Sequence, residues 1–540
     1  MIKFGKAVVK FRIPILILSF LLLIPAGISY INTRINYDIL SYLPGDIDTM
    51  KGQDILLEDF GTGAFSLCVV EDMSEKQVVD LENEIKGVYL ETDAQRYYPY
   101  SSLAAQVMGF VSTDNVGSEG LEAYYDSYLQ GTAGKVVTTK GNYGSEMLYT
   151  YEKYYDASDG DSLVTTIDQT VQHYLEKNLE TAIEKYDIIN GAFGIVMDVN
   201  SGQILAMANL GSYDPNNYQE IYDQALAGQL EAQYQDALLL DKDSDAYQEA
   251  MSAYNQAVAA ERLRQWRNRC VSDGYEPGST FKMLTVLEYM KENPNTWQDY
   301  VYNCNGSYQN GDYTIKCYHG TAHGAQNLIQ AFANSCNGAF AEIGMQINSE
   351  KFRALANQML FNSELPYTLP YNQSTFSLDG SSDDWEKLQT AIGQGKTQIT
   401  PLHNLMIVSA IANGGTLMKP YMIDHVENVG GQTVKKFLPS AYGTLMSAND
   451  AQFLTHLMSQ VVEIGTGSAM RGASYTVAGK TGSAEFEAGK ETHSWFVGFA
   501  PADKPKVAIC VLAEESGSGG AVAAPIARQV LDRYFTKYGQ

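Results

Sequence analysis

Residues 13–31 form a run of nineteen without a charge, and this run constrains the chain more than any other feature. A stretch of that length crosses a bilayer as a helix, because backbone in lipid must satisfy its own hydrogen bonds. Lys3, Lys6, Lys10 and Arg12 precede it, and only Arg34 follows closely. The positive-inside rule then makes residues 1–12 a cytoplasmic tail and turns the rest of the chain outward. The rival reading is a cleaved signal peptide. No small-residue cleavage site of the A-x-A kind follows the run, which favours a retained anchor. No second uncharged run approaches this length. The expectation is a single-pass membrane protein with its folded mass outside the cell, and not a channel or carrier by itself.

Composition narrows what that folded mass does. The 540 residues carry a formal charge of −26, which argues against nucleic-acid binding, since phosphate recognition needs a basic surface. Hydrophobic residues make up 45% and charged residues 19%, the balance of a globular chain of a few domains. Six cysteines are too sparse for a disulfide scaffold. No G-x-G-x-x-G or P-loop fingerprint is present, so dinucleotide and nucleotide chemistry are poor candidates.

Along the chain, residues 64–70 read as a buried strand and 75–85 as an amphipathic helix with Val78, Leu81 and Ile85 on one face. Residues 88–160 are rich in Tyr and Gly and read as short strands and loops. From Leu163 the pattern becomes α/β. A strand is expected over 163–167, a helix over 172–186, and a hairpin from 194–198 to 203–208 around Asn200-Ser201-Gly202. Residues 219–262 lack Pro, are rich in Ala, Gln, Asp and Glu, and read as an inserted, solvated helical hairpin. Thr400-Pro401 starts a hydrophobic helix over 402–412. Residues 477–478, 495–500 and 507–513 are β-like, and 521–534 are helical.

Three short motifs carry the chemistry. In Glu276-Pro277-Gly278-Ser279-Thr280-Phe281-Lys282, Ser279 and Lys282 stand at i and i+3. If a helix begins near Ser279, the two side chains share one face, and the helix N-terminus favours an oxyanion formed there. A serine hydroxyl is a weak nucleophile until a base takes its proton, and a lysine serves as that base only when burial or a neighbouring cation makes it neutral. Ser335-Cys336-Asn337 alone is uninformative. Lys480-Thr481-Gly482-Ser483, preceded by Val477-Ala478-Gly479, is a strand end suited to a cleft. There Gly admits a substrate backbone, Thr offers a hydroxyl and Lys a fixed cation for a carboxylate. The three follow in order, separated by 56 and 145 residues. Such a set is the pattern of penicillin-recognising serine enzymes.

Over residues 88–540 the chain resembles the class B penicillin-binding proteins, the monofunctional peptidoglycan D,D-transpeptidases. The likeness extends to Arg96-Tyr97-Tyr98-Pro99, Gly120-Leu121-Glu122, Val164-Thr165-Thr166-Ile167-Asp168, Asp214-Pro215-Asn216, Gly393-Gln394-Gly395 and Trp495-Phe496-Val497-Gly498-Phe499-Ala500-Pro501. It implies an α/β (α+β) fold of the penicillin-binding-protein and serine β-lactamase type, with a five-stranded antiparallel sheet and a helical subdomain. The implied layout is a partial N-terminal pedestal over 88–160 and a transpeptidase domain over 161–540. Residues 32–87 depart from the family: Ile35-Asn36-Tyr37-Asp38 through Gly52-Gln53-Asp54 resemble the start of RND/MMPL-type transporters, with an apparent join near Lys86-Gly87-Val88. A fusion is one account of that join.

The resemblance implies roles residue by residue. Ser279 attacks the carbonyl between two terminal D-alanines of a stem peptide, and Lys282 takes its proton. Ser335 relays a proton to the leaving amine, and Asn337 holds the substrate amide and Lys282. Lys480 and Thr481 bind the terminal carboxylate. The backbone N–H groups of Ser279 and Ser483, flanking Gly482, form the oxyanion hole. β-Lactams mimic the substrate and acylate Ser279. No cofactor is required for this chemistry, and a polymerase of the division or elongation machinery is the implied partner. His403 stands where the family more often has Gln and receives no role.

Cys304, Cys317, His323 and Cys336 form C-x12-C-x5-H-x12-C. Elongation-type members resemble this, with a structural zinc at matching positions, and three thiolates with one imidazole suit tetrahedral zinc. A Cys304–Cys317 disulfide and simple buried thiols are the other two readings. Cys68, Cys270 and Cys510 read as isolated thiols. Besides a transpeptidase, the same fold serves β-lactamases and β-lactam sensors, and a fusion could use it as a scaffold without catalysis. A transporter subunit rests on residues 1–87 alone.

Overall fold

The computed structural model of the chain describes residues 95–540, except 133, 138–152, 156, 189, 486–488 and 540. The tail at 1–12, the apolar run at 13–31 and the transporter-like segment at 32–87, with its expected strand and helix, lie outside the described residues. Among the described residues no helix is long and apolar enough to cross a membrane.

The centre of the fold is a five-stranded antiparallel sheet. Its strands are β1 (Ala192–Asp198), β2 (Ile204–Asn209), β3 (Ala478–Ala484), β4 (His493–Ala500) and β5 (Val507–Ala513). They lie in the order β3-β4-β5-β1-β2. The Asp198 carboxylate accepts the backbone N–H groups of Asn200 and Ser201 at 3.0 and 2.8 Å, the side-chain turn that the Asn200-Ser201-Gly202 hairpin needs. Nearly every strand residue is buried, because both faces are covered. That is why β4 and β5 read as near-continuous apolar runs and not as alternating ones.

Helices of the described residues that surround the sheet or extend from it include α1 (Gln169–Tyr186), α2 (Gln224–Leu238), α3 (Asp245–Trp266), α4 (Lys282–Glu292), α5 (Leu328–Ala333), α6 (Asn337–Gln346), α7 (Pro401–Ala412), α8 (Ala448–Glu463) and α9 (Ala523–Tyr538). On one face Val196, Phe496, Ile509 and Val511 pack with Leu175 and Leu179 of α1 and Ile526 and Val530 of α9. On the other, Ile195, Met197, Trp495, Val497 and Leu512 join the larger core, which contains α7 and α4. Helix α7 is buried at every position from Pro401 to Ile411, so its sequence shows no polar stripe. Thr400 caps it through the His403 N–H, as the Thr-Pro start predicts. His403 itself is buried, its Nε2 2.7 Å from the Met359 carbonyl and its ring against Phe361. Burial pulls its pKa down to about 4. It is a packing residue.

Residues 95–160 differ from the expected strands and loops. Strands Lys135–Val137 and Lys153–Tyr155 pair, but Ala105–Met108, Gly120–Tyr124 and Asp126–Leu129 are single helical turns. Val107, Leu121 and Tyr125 from these turns enter the main core. A four- or five-residue turn is too short to display a 3.6-residue period.

The inserted hairpin is α2 and α3, capped by Asp223 and Ser244 and reaching Trp266, four residues beyond the expected boundary. Its base is closed by side chains. Gln265 donates to the Glu220 carbonyl at 2.7 Å and accepts the Tyr222 N–H at 3.1 Å, while Trp266 donates to the Tyr218 carbonyl at 2.8 Å.

Candidate active site

Ser279 lies in a 3-10 turn, Gly278–Thr280, which runs into α4 at Lys282. The first motif therefore starts a helix as its spacing requires, with Ser279 one tight turn ahead of the α-helical ladder. Gly278 has φ +53°, and a Cβ there would meet the Ser483 carbonyl oxygen at 2.8 Å. Only glycine lets this turn press against the third motif. The turn is tied from three sides. Gly278 N–H donates to the Gly393 carbonyl at 2.8 Å, Trp495 Nε1 to the Glu276 carbonyl at 3.2 Å, and Asn404 Nδ2 to Thr280 Oγ1 at 3.0 Å. Glu276 accepts the Gly395 N–H at 3.0 Å, and burial pushes its carboxyl up to about 7.

Lys282 is fully buried. Its Nζ donates to the Ser335 carbonyl at 2.8 Å, Asn337 Oδ1 at 2.7 Å and Ser335 Oγ at 3.4 Å. Lys480, on β3, is also fully buried, and its Nζ donates to Ser335 Oγ and to the Thr481 carbonyl, both at 2.9 Å. Two lysine amines thus converge on one hydroxyl. Burial lowers the Lys282 pKa to about 8, against the opposing pull of Cys336 and Cys317. Burial first, and then the Lys282 cation, lower Lys480 well below its ordinary value. The phenyl faces of Phe340 and Phe332, 5.2 and 5.5 Å from the two Nζ atoms, offset part of the lost hydration.

Ser335 has a left-handed backbone, φ +54°, which a non-glycine residue adopts at a cost of about 1–3 kcal/mol. That conformation, between α5 and α6, lets both its carbonyl and its hydroxyl face the lysines. Thr481 is 5% exposed, and its hydroxyl lies 2.5 Å from Thr466 Oγ1, in the turn after α8. Strand β3 is the edge of the sheet, paired with β4 alone; Thr481 and Gly482 on it are buried and Ser483 is half-buried. The structure brings Lys282, Ser335, Asn337, Lys480 and Thr481 together, with Gly482 and Ser483 against the turn that carries Ser279. Sequence reasoning missed Thr466, Asn404 and the Glu276–Gly395 contact, because no spacing links them to the motifs.

Cys304, Cys317, His323 and Cys336 also converge, and their ligand atoms all lie within 4.8 Å of one another. The sulfurs of Cys304 and Cys317 are 3.6 Å apart, those of Cys317 and Cys336 3.7 Å, and His323 Nδ1 is 3.3 Å from Cys304 Sγ. Cys304 and Cys317 are free thiols, far outside the S–S bond of about 2.05 Å, so the disulfide reading is corrected. The hydrogen bond from Cys336 pulls the Cys317 thiol below its ordinary value, while that bond and burial raise Cys336. Asn337 Nδ2 donates to the Lys316 carbonyl at 3.0 Å, joining this cluster to the second motif. Cys270 and Cys510 are buried free thiols, and Cys68 lies outside the described residues.

The family model for the penicillin binding protein transpeptidase domain matches residues 192–532, and that for the penicillin-binding protein dimerisation domain matches residues 57–165. The second match includes 57–87, part of the segment with transporter-like residues. Stage V sporulation protein D of Bacillus subtilis is 31% identical over 461 residues, covering 83% of this chain and 65% of that protein. The chain thus spans just under two thirds of that relative's length. The crystal structure of a D,D-transpeptidase domain of peptidoglycan glycosyltransferase from Eggerthella lenta superposes with a TM-score of 0.64 at 26% identity, covering 82% of this chain and 93% of that one. Penicillin-binding protein A from M. tuberculosis, as its penicillin G acyl-enzyme complex, superposes at 0.63 with 25% identity, covering 83% and 96%. Motifs, sheet order and comparisons agree: the chain belongs to the penicillin-binding proteins, in the family that carries the transpeptidase domain.

Proposed function

We propose that the chain is a peptidoglycan D,D-transpeptidase that works through an acyl-enzyme at Ser279 and is acylated by β-lactams. The observation that carries this reading is the hydrogen-bonded array in which Lys282 and Lys480 meet at Ser335 Oγ beside the Ser279 turn. Ser279 Oγ attacks the carbonyl of the penultimate D-alanine, and neutral Lys282 takes the hydroxyl proton. The oxygen that becomes anionic is held by the N–H groups of Ser279 and Ser483, usually the largest electrostatic contribution in acyl transfer. Ser335, bonded to both lysines, passes a proton to the amine of the departing D-alanine as the C–N bond breaks. Lys480 and Thr481 hold its carboxylate, and Asn337 fixes Lys282. An amine from a second stem peptide then attacks the acyl-enzyme, forms the cross-link and returns the proton to Ser279. Every step uses groups of the protein.

The cysteine and histidine cluster fits structural zinc. Tetrahedral zinc with Zn–S of about 2.3 Å has sulfur–sulfur edges of about 3.8 Å, close to the spacings of 3.6 and 3.7 Å. Cys304, Cys317, Cys336 and His323 Nδ1 would hold the ion, which would brace the second motif and take no part in acyl transfer. One zinc per chain in the purified protein is the expected result; a folded protein without stoichiometric metal would remove this reading. Residues 13–31 serve as the membrane anchor, with the catalytic domain outside, and 57–165 as the pedestal through which a polymerase partner is engaged. The anchor rests on charge asymmetry and length, and the pedestal on the dimerisation-domain match.

The test is labelling of the full chain, in detergent, with a fluorescent penicillin. A covalent, long-lived label that Ser279→Ala abolishes is expected. Rapid loss of the label would point instead to a β-lactamase, and no label on folded protein would end the acyl-enzyme reading.

A further inference from the structure

Thr466 belongs to none of the three motifs, yet its hydroxyl stands 2.5 Å from that of Thr481. Among the described residues Thr481 Oγ1 has no other hydrogen-bond partner. The turn that carries Thr466 is held in place independently. Gly465 and Gly467 N–H groups both donate to the Val461 carbonyl, at 3.2 and 2.9 Å, closing the end of α8. Thr466 N–H donates to the Ala333 carbonyl at 3.1 Å, two residues before Ser335. A Cβ on Gly465 would meet that same carbonyl oxygen at 2.0 Å, so the turn is pressed against the end of α5. Thr466 thus spans the second and third motifs, and it is exposed whereas Thr481 is buried.

A threonine hydroxyl has one proton and two lone pairs. Of the two hydroxyls at 2.5 Å, one donates and the other accepts. If Thr481 donated to Thr466, it would turn lone pairs toward an incoming carboxylate and repel it. If Thr466 donates, the Thr481 proton is free for the anion, and the two bonds polarise each other in one direction. We propose that Thr466 is a positioning residue for carboxylate recognition: its hydroxyl donates to Thr481 and so fixes Thr481 as the donor to the free carboxylate of the acyl donor. The inference rests on the acyl-transfer reading above and adds to it a residue that acts through Thr481.

The experiment measures the second-order acylation constant of the full chain with penicillin G and with its methyl ester, which lacks the anion. Thr466→Val keeps the shape of the side chain and removes the hydroxyl. The expected result is a loss of about tenfold with penicillin G, the scale of one hydrogen bond to a charged group, and little change with the ester. Thr466→Ser restores the rate, and the melting temperature stays level across the series. Equal rates for Thr466→Val and the unaltered protein would overturn the inference. So would equal losses with acid and ester, the mark of a distorted site. If the unaltered protein forms no acyl-enzyme at all, it is the transpeptidase reading that fails, an outcome distinct from the other two.

Discussion

The cleft and the inserted hairpin invert the usual rule of burial in opposite directions. At the cleft, Lys282 and Lys480 are 0% exposed, while at the tip of the hairpin Leu239 is 85% exposed. The lysines remain inside because each ammonium has fixed oxygen partners and an aromatic face. Leu239 remains outside because the hairpin has little to pack on. Leu230 and Ala237 are the buried residues of α2, and Gln265 is that of α3. The two helices meet through contacts such as that of Tyr234 with Tyr254, 5.1 Å between ring centroids. Function has been purchased with buried charge in one region, and the other has been left nearly free of tertiary constraint. Substitutions in the cleft should therefore alter chemistry far more than any change in the hairpin.

The largest contrast after loss of the nucleophile itself comes from Lys282→Met. It removes the proposed base and leaves the Ser335 carbonyl and Asn337 Oδ1 without the Lys282 donor. Acylation by penicillin should fall by about 10²–10⁴-fold, the range for loss of a general base. A stopped-flow measurement that found less than a tenfold loss would transfer the base role to Lys480, the other amine on Ser335 Oγ.

The acidity of Lys282 gives a second, graded test. In the proposed reaction only the neutral amine accepts the Ser279 proton, and burial lowers its pKa to about 8. Raising pH through 8 deprotonates it, so the acylation rate should rise about tenfold per unit below that point and level off above it. A rate that is flat from pH 6 to pH 9 would show that Lys282 is not titrating as the base.

How much of this was legible in the sequence follows from the range of each interaction. Ser279 and Lys282 sit three residues apart, Asp198 and Ser201 likewise, and Thr400 caps a helix three residues on; such local relations are written in spacing. Strands β1, β2, β4 and β5 were legible because burial on both faces leaves apolar runs, whereas β3, with Lys480, Thr481 and Ser483 in it, has no such run and was read over 477–478 alone. Thr466 is different. Fifteen residues separate it from Thr481, and a helix end and a 3-10 turn lie near it, so nothing in Gly465-Thr466-Gly467 announces the pairing. Asn404 meets Thr280 across 124 residues, and Glu276 meets Gly395 across 119. These contacts exist only after the helical subdomain has closed on the sheet. The cysteine and histidine cluster was legible as a set, since unusual residue types mark it, whereas the free thiols of Cys304 and Cys317 became evident only in three dimensions.

The smallest effect is expected where the chain is longest. The Gln265 side chain bonds to both Tyr222 N–H and the Glu220 carbonyl, so the two ends of the hairpin are neighbours before α2 begins. Phe110 stacks on Tyr218 at 4.1 Å and packs on Trp266 at 4.9 Å, which anchors those ends to the rest of the domain. Replacing residues 223–264 with a short Gly-Ser link keeps Tyr218, Tyr222, Gln265 and Trp266 in place. Acylation by penicillin should then change by less than about twofold, or about 0.4 kcal/mol in barrier. A larger loss would mean that the hairpin braces the cleft through contacts beyond its base, and the contrast between the two regions would fail at its weaker end.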